Sequence, residues 1–386
     1  MKFLHTADLH IGKKLHEQSL LEDQRFILNQ IADIAKREKV DAVVIAGDVY
    51  DRAVPQAEAV CLLDHFLTTL VDAGIKVLMI SGNHDSPERV AFADKLLEAR
   101  GLYIAGPYDG SLKEVVLEDE FGPVHFVLMP YVKPAVVGAK TSEEAVLNML
   151  SRQPMTLSMH QRYVMVTHYF VTGEAGETPL LSDSESDVNV GGLDNVPGDC
   201  FASFCYTALG HIHRPQRMGS GAIYYSGSPL KYSFSEAVGS KCVNLVELQE
   251  PGSVRASRIP LKPLRDLRCI RGRLEELINA EVLKQLSETE REDYLQVTLT
   301  DLEELIDPMG TLRSVYPNVL HIILEKNGPE SAGETDLSRI VGERKDTVTM
   351  FSDFYELLRG ETMDEVREKI VREAVWEAEK ECDRNS

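Results

Sequence analysis

Residues 41–51 read DAVVIAGDVYD, and this stretch decides the fold class. The run from Asp41 to Ala46 is short and almost wholly apolar, the pattern of a strand buried on both faces. Gly47 permits a tight turn, and Asp48 and Asp51 stand just past the carboxyl end of that strand. The same arrangement recurs on either side. Residues 2–6 read as a strand followed by Asp8 and His10. Residues 75–80 read as a third strand, followed by Gly82, Asn83, His84 and Asp85. Helical signals separate the three strands. Residues 19–37 place Leu20, Phe26, Ile27, Ile31 and Ile34 on one face. Pro55 can open a helix running to about residue 73, and Pro87 another running to about residue 100, where Gly101 ends it. Strands alternating with helices imply α/β architecture.

Further strands are expected at 124–129, 163–167, 206–209, 223–225 and 241–248. His168 closes the second of these, and His211 and His213 follow the third. Residues 173–198 are rich in Gly, Ser, Asp and Pro, and a loop of that length inside a compact domain is usually functional. Near residue 260 the composition shifts. Arg255, Arg258, Lys262, Arg265, Arg268, Arg271 and Arg273 crowd together with only Asp266 opposing them, a contact strip, a hinge or a solvated edge strand. A smaller α/β unit is expected from about 267 to 326, with a helix at 274–286 and strands at 295–300 and 319–324. Residues 327–333 form a linker candidate, and 347–360 and 362–383 read as two helices.

The chain has 386 residues, 62 acidic against 41 basic, for a net charge of −21. Hydrophobic residues make up 43%, enough for a large core and against extended disorder. The acidic balance argues against a broad, non-specific nucleic-acid coat, though not against a local site. No run approaches the roughly 20 apolar residues of a membrane span. Residues 1–8 include Lys2, His5 and Asp8 and do not form a signal-peptide pattern. The six cysteines are scattered without a CxxC pair, so reduced thiols of a cytoplasmic protein are expected rather than a structural zinc site.

Open α/β sheets bind ligands beyond the carboxyl ends of their strands. Asp8, His10, Asp48, Asn83, His84, His168, His211 and His213 all follow predicted strands, so they can converge on one rim. Imidazole, carboxylate and amide oxygen together suit Mn²⁺, Fe²⁺ or Zn²⁺ better than Ca²⁺. Asp-x-His and His-x-His put alternate side chains on one side of an extended segment. A single Asp-x-His is an ordinary loop feature; five such pieces, each at a strand end, are a metal-site pattern. His5, His16, His65, His125, His160 and His321 read as structural.

Asp8-x-His10, Gly47-Asp48-x-x-Asp51, Gly82-Asn83-His84-Asp85, His168 and Gly210-His211-x-His213 together resemble the calcineurin-like metallophosphoesterase superfamily. Residues 6–12, 47–55, 81–86, 208–213 and 224–229 resemble more narrowly the nuclease subunits of bacterial SbcCD complexes. The resemblance implies an α/β fold: a two-sheet sandwich flanked by helices, with a small α/β cap domain and C-terminal helices. The implied division is 1–260 for the nuclease domain, 261–330 for a DNA-positioning cap and 331–386 for a linker and partner-binding helices. It implies two divalent metal ions, Mn²⁺ by preference. Asp8, His10, Asp48 and His213 would hold one; Asp48, Asn83, His168 and His211 would hold the other. His84 would act as the acid for the leaving oxygen, with Asp51 as its orienting partner and Asp85 as the competing one.

The implied activity is 3′→5′ double-strand exonuclease and structure-specific, hairpin-cleaving endonuclease in DNA repair and recombination. The implied partners are double-stranded and hairpin DNA, an SbcC-type ATPase subunit and a second copy of this chain within a heterotetramer, near the nucleoid and away from membranes. The chain has no G-x-x-x-x-G-K-[ST] loop, so ATP hydrolysis is left to the partner. The metal motifs serve equally a small-molecule or protein phosphoesterase. The SbcCD-like segments outside the ligands, the cap and the C-terminal helices favour the nuclease.

Overall fold

A computed structural model describes residues 1–153, 162–173, 176–185, 194–250, 252–301, 303, 305–325, 352, 355 and 367–372. The chain divides into two compact units, Met1–Glu325 and Lys326–Ser386. Most of the expected linker and C-terminal helices, and part of the 173–198 loop, lie outside the described residues. Among the described residues, no helix is long and apolar enough to cross a membrane.

The first unit is built on two six-stranded sheets. Its strands are β1 (Lys2–Thr6), β2 (Ala42–Ala46), β3 (Lys76–Ile80), β4 (Leu102–Ala105), β5 (Lys113–Asp119), β6 (Gly122–Met129), β7 (Arg162–Thr167), β8 (Tyr206–Leu209), β9 (Gln216–Met218), β10 (Ile223–Tyr225), β11 (Cys242–Leu248) and β12 (Val254–Pro260). One sheet has the order β12-β11-β1-β2-β3-β4, and the other β9-β10-β8-β7-β6-β5. Strands β1 to β4 are parallel, while β11 and β12 add antiparallel to that sheet. In the second sheet β6, β7, β8 and β10 are parallel, and β5 and β9 are antiparallel edges.

Strand alternation sorts the side chains into layers. Phe3, Val44, Leu78 and Ile80 face Phe126, Leu128, Val164, Val166 and Tyr206 in the core between the sheets. Leu4, Val43, Ile45, Val77 and Met79 take the outer face of the first sheet, beneath α1 (Leu21–Arg37) and α2 (Ala57–Asp72). Val127, Met129 and Met165 lie beneath α3 (Ser142–Ser151) on the outer face of the second. Helix α1 buries Ile27, Leu28, Ile31, Ile34 and Ala35, a helical spacing in which each fully buried large side chain contributes about 1.5–3 kcal/mol. Phe26, expected on that face, is exposed instead.

The expected helix at 87–100 is broken into Pro87–Val90, Asp94–Leu97 and a 3₁₀ turn at Glu98–Arg100. Ala93, at φ +60°, interrupts it. Strands β4, β5, β9, β12 and β13 (Leu267–Gly272) carry no clear sequence signal, nor do the short strands at Lys14–Leu15, Gln18–Ser19, Phe170–Thr172 and Asn195–Pro197. Strand β13 belongs to a separate parallel sheet, β13-β14-β15, with β14 at Tyr294–Leu299 and β15 at Val319–Leu324. Leu274, Leu295, Val297, Leu299, Leu312, Tyr316 and Val319 form its own core. The helix expected at 274–286 is two short ones, Leu274–Leu277 and Ala280–Gln285.

Three of the seven basic residues in the arginine-rich stretch are committed to carboxylates. Arg265 reaches Glu22 at 2.8 Å and Asp23 at 3.2 Å on α1. Arg268 meets Asp293 at 2.7 Å, and Arg271 meets Glu325 at 2.8 Å. Arg255 and Arg258 sit on the edge strand β12.

Candidate metal centre

Parallel strands β1, β2, β3, β7 and β8 end on the same rim, and the loops that leave them carry the polar constellation. Backbone hydrogen bonds knit the first two loops side by side. The amides of Asp8, His10 and Ile11 donate to the carbonyls of Gly47, Asp48 and Val49 at 3.1, 3.0 and 2.9 Å. Asp85 ties in the third loop: its carboxylate accepts from the amides of Val49, Tyr50 and Gly82 at 3.0, 2.9 and 2.8 Å. With both oxygens so occupied, Asp85 is a loop staple and not a partner for His84. Burial, with Asp48 nearby, pushes its carboxyl up to about 6.

The side chains converge tightly. His10 Nε2 lies 3.1 Å from His213 Nε2 and 3.6 Å from Asp48 Oδ2. His168 Nε2 lies 3.3 Å from the same Asp48 oxygen and 3.0 Å from Asn83 Oδ1. His211 Nδ1 lies 3.0 Å from that Asn83 oxygen. Asp8 accepts the His211 amide on Oδ1 at 2.8 Å, and its Oδ2 is buried without any partner. Donor atoms of Asp8, His10 and His213, of His10, Asp48 and His84, and of Asp8, Asp48 and His168 each fall within 4.8 Å of one another. All the expected ligands are thus brought together, with Asp48 central.

These contacts fit cations. His168 Nδ1 faces the Ala46 carbonyl at 2.8 Å, and a carbonyl only accepts, so the proton sits on Nδ1. The Nε2 lone pair of the neutral ring then points at a carboxylate oxygen and an amide oxygen, which is repulsive unless a positive charge stands among them. The spacings of 3.0–3.3 Å between these donors match the roughly 3.0–3.4 Å expected of atoms about 2.1 Å from a shared ion. The orphaned Asp8 Oδ2 completes the case, because an unpaired buried carboxylate oxygen is costly.

The electrostatics of the protein alone agree. Burial opposes charge on His168, yet Asp48 and Asp8 push it up to about 9, so a proton takes the cation's place there. Burial and the neighbouring His168 push His211 down to about 3. Burial raises Asp8 to about 6 against the pull of His168 and His213. Asp48 is buried too, but His168, His10 and His84 hold its carboxyl well below the usual range.

His84 stands apart from this group. Its ring is 40% exposed, with Nε2 4.0 Å from Asp48 Oδ2. Its Nδ1 faces the backbone carbonyl of Asp51 at 3.2 Å. Asp51 therefore meets His84 through its main chain, while its carboxylate pairs with Lys13 at 3.0 Å and lies 3.8 Å from His10 Nδ1.

Several supporting residues carried no sequence signal. Gln24 holds the His10 carbonyl at 2.7 Å. Ser184, Glu185, Glu236 and Lys241 stand behind His213. Only the first two fall in the loop already singled out as functional. His5 is structural, bonded to the Tyr206 hydroxyl at 3.0 Å and the Leu209 carbonyl at 3.2 Å.

Residues 1–131 match the family model described as calcineurin-like phosphoesterase. Residues 263–358 match the one described as type 5 capsule protein repressor C-terminal domain. The protein of Staphylococcus epidermidis named as the D subunit of the nuclease SbcCD is 30% identical over 383 residues, covering 96% of this chain and 97% of its own. The protein of the same name from Staphylococcus saprophyticus is 32% identical over 369 residues, covering 94% of each. Among solved structures, TT1561 of Thermus thermophilus aligns with a TM-score of 0.40 and 11% identity, over 67% of this chain and 98% of its own. A dimetal phosphatase from Danio rerio aligns with a TM-score of 0.37 and 12% identity, over 68% and 99%.

Proposed function

The chain belongs to the family of SbcCD nuclease D subunits and has the calcineurin-like metallophosphoesterase fold, and from that premise we infer that it is a metal-dependent DNA nuclease working with an SbcC-type ATPase subunit. The observation that supports this is the convergence of Asp8, His10, Asp48, Asn83, His168, His211 and His213, whose closely spaced oxygens and ring nitrogens two metal ions would reconcile. Asp8, His10, Asp48 and His213 would hold one divalent ion. Asp48, Asn83, His168 and His211 would hold the other, with Mn²⁺ the preferred metal. When bound, such a pair supplies positive charge that neutralises phosphate oxygens and activates water for in-line attack.

With Nδ1–H of His84 kept on the Asp51 carbonyl, proton exchange is confined to Nε2. That nitrogen, on the exposed side of the site, would protonate the leaving oxygen of the scissile phosphodiester. Asp51 acts through its carbonyl as the orienting group, and its carboxylate holds Lys13 beside the site. His84→Gln is expected to keep metal and DNA binding while cleavage falls by about 10²–10⁴-fold. Unchanged turnover would remove His84 from the mechanism.

The proposed division of labour is residues 1–260 for cleavage, 261–330 for placing the duplex and 331–386 for docking the ATPase subunit. Shape and ends, not base sequence, would govern recognition, since phosphate contacts position a duplex without reading it. The expected substrates are double-strand ends, degraded 3′→5′, and hairpins, with a second copy of the chain in the assembly and a place near the nucleoid. The test compares labelled hairpin and blunt duplex DNA with a generic phosphodiester, in Mn²⁺ and in chelator. Metal-dependent cleavage of the DNA substrates is expected. Hydrolysis of the small ester alone would favour a small-molecule or protein phosphoesterase.

A further inference from the structure

Behind His213, away from the other donors, stands a buried relay. The ring Nδ1 lies 2.9 Å from the Ser184 hydroxyl, and that hydroxyl lies 3.2 Å from Glu236 Oε1. Glu236 Oε2 pairs with Lys241, whose ammonium also donates to the His213 carbonyl at 2.7 Å and to Ser228 Oγ at 2.8 Å. Glu185 accepts the His213 amide on one oxygen and the Ser182 amide on the other, at 2.8 Å for the latter. Glu185, Glu236 and Lys241 are all buried.

One assignment of protons satisfies every member of the relay with His213 Nε2 left as a lone pair. Glu236 is a carboxylate, because Lys241 donates to it. Ser184 has a single proton; with the Ser182 hydroxyl, 2.7 Å away, donating to the Ser184 oxygen, that proton goes to Glu236. The Ser184 oxygen is then free to accept from His213 Nδ1–H, which leaves the lone pair on Nε2, the atom that faces His10. His10 has no such support, since its Nδ1 is buried without a hydrogen-bond partner. In that ion position, therefore, His213 is the imidazole whose tautomer and orientation are locked.

We propose that Ser184 and Glu236 are positioning residues that lock His213 as an Nε2 donor and so set the affinity of the ion position it shares with Asp8 and His10. The proposal rests on the dinuclear reading above. It also gives residues 182–185 a role, because Ser184 and Glu185 fasten that segment to the metal-ligand loop. Outer-shell partners of ligating histidines typically contribute 10–100-fold in metal affinity.

The test is Mn²⁺ titration of the full-length chain without substrate, followed by calorimetry and by electron paramagnetic resonance. The unsubstituted protein should bind two ions and show a spin-coupled spectrum. Ser184→Ala should weaken one ion by about 10–100-fold and leave the spectrum of an isolated Mn²⁺. Ser184→Thr, which retains the hydroxyl, should restore both affinity and coupling. Glu236→Gln is made together with Lys241→Met, so that no unpaired lysine is buried, and should repeat the Ser184→Ala result. Two ions bound with unchanged affinity in Ser184→Ala and in the double variant would overturn the proposal and leave the dinuclear reading standing. Equal weakening in Ser184→Thr would mark a packing effect and overturn it too. An unsubstituted chain that binds no ion would instead defeat the dinuclear reading itself.

Discussion

Asp8, His10, Asp48 and His211 hold φ values of +53°, +42°, +46° and +97°. Non-glycine residues rarely adopt such values, and they persist where the surrounding structure over-determines them. Here the cross-loop backbone bonds and the Asp85 staple do so. Two glycines make the close approach possible. A Cβ on Gly47, at φ +88°, would strike the His168 ring, and one on Gly82 would strike Asp48. Gly82→Ala should therefore displace Asp48 and abolish tight binding of both ions, checked by the same Mn²⁺ titration. Binding at the unsubstituted affinity would show that the loop yields. The charged His168 sets the pH dependence. Its proton, held up to about pH 9, must leave before Nε2 can ligate, so apparent metal affinity should rise by about tenfold per pH unit from neutrality towards 9. Calorimetry in buffers of different ionisation enthalpy should report net proton release on metal binding. The donors were legible because their residue types recur at strand ends. The left-handed backbone, the carbonyl of Asp51 and the relay behind His213 were not, because each depends on contacts between distant segments.

At the scale of elements, parallel strands explain why ligands far apart in sequence meet: β1, β2, β3, β7 and β8 all deliver their carboxyl ends to one rim. The strands that carry ligands were readable as apolar runs. Edge strands β5, β9 and β12 were not, since only one face is buried and their exposed positions look like loop. The helix expected at 87–100 failed because Ala93 turns left-handed within it. One arginine of the strip is a tie between elements. Arg265 ties the β13-β14-β15 unit to α1 through Glu22 and the buried Asp23, whose Oδ2 also accepts from the Tyr294 hydroxyl at 2.8 Å. Arg265→Ala should lower stability by about 1–3 kcal/mol and raise amide exchange across Leu267–Gly272 and Tyr294–Leu299. Exchange unchanged in those strands would mean the tie is redundant.

For the whole molecule, the sandwich is fastened at the end opposite the metal centre. Arg162, at the start of β7, grips Asp119 with two bonds of 2.8 and 2.6 Å and donates to the Gln249 carbonyl at 3.0 Å, joining the two sheets. Arg162 holds the Asp119 carboxyl below the usual range. A depressed folded-state pKa contributes stability above the unfolded value of about 3.9, and that stability is lost as pH falls further. Asp119→Asn should therefore destabilise the protein by about 3 kcal/mol near neutrality and flatten its acid unfolding below about pH 4. The net charge of −21 belongs to this scale as well. It describes the surface, whereas two divalent ions against the carboxylates of Asp8 and Asp48 leave the site positive, so DNA affinity should depend strongly on metal.

Seven residues holding two ions, with Asp48 between them, would be visible by anomalous diffraction at the manganese edge from crystals grown with Mn²⁺. Two peaks about 3.5–4 Å apart are expected, one among Asp8, His10, Asp48 and His213 and the other among Asp48, Asn83, His168 and His211. A single peak, or two that do not share Asp48, would rule out the dinuclear centre.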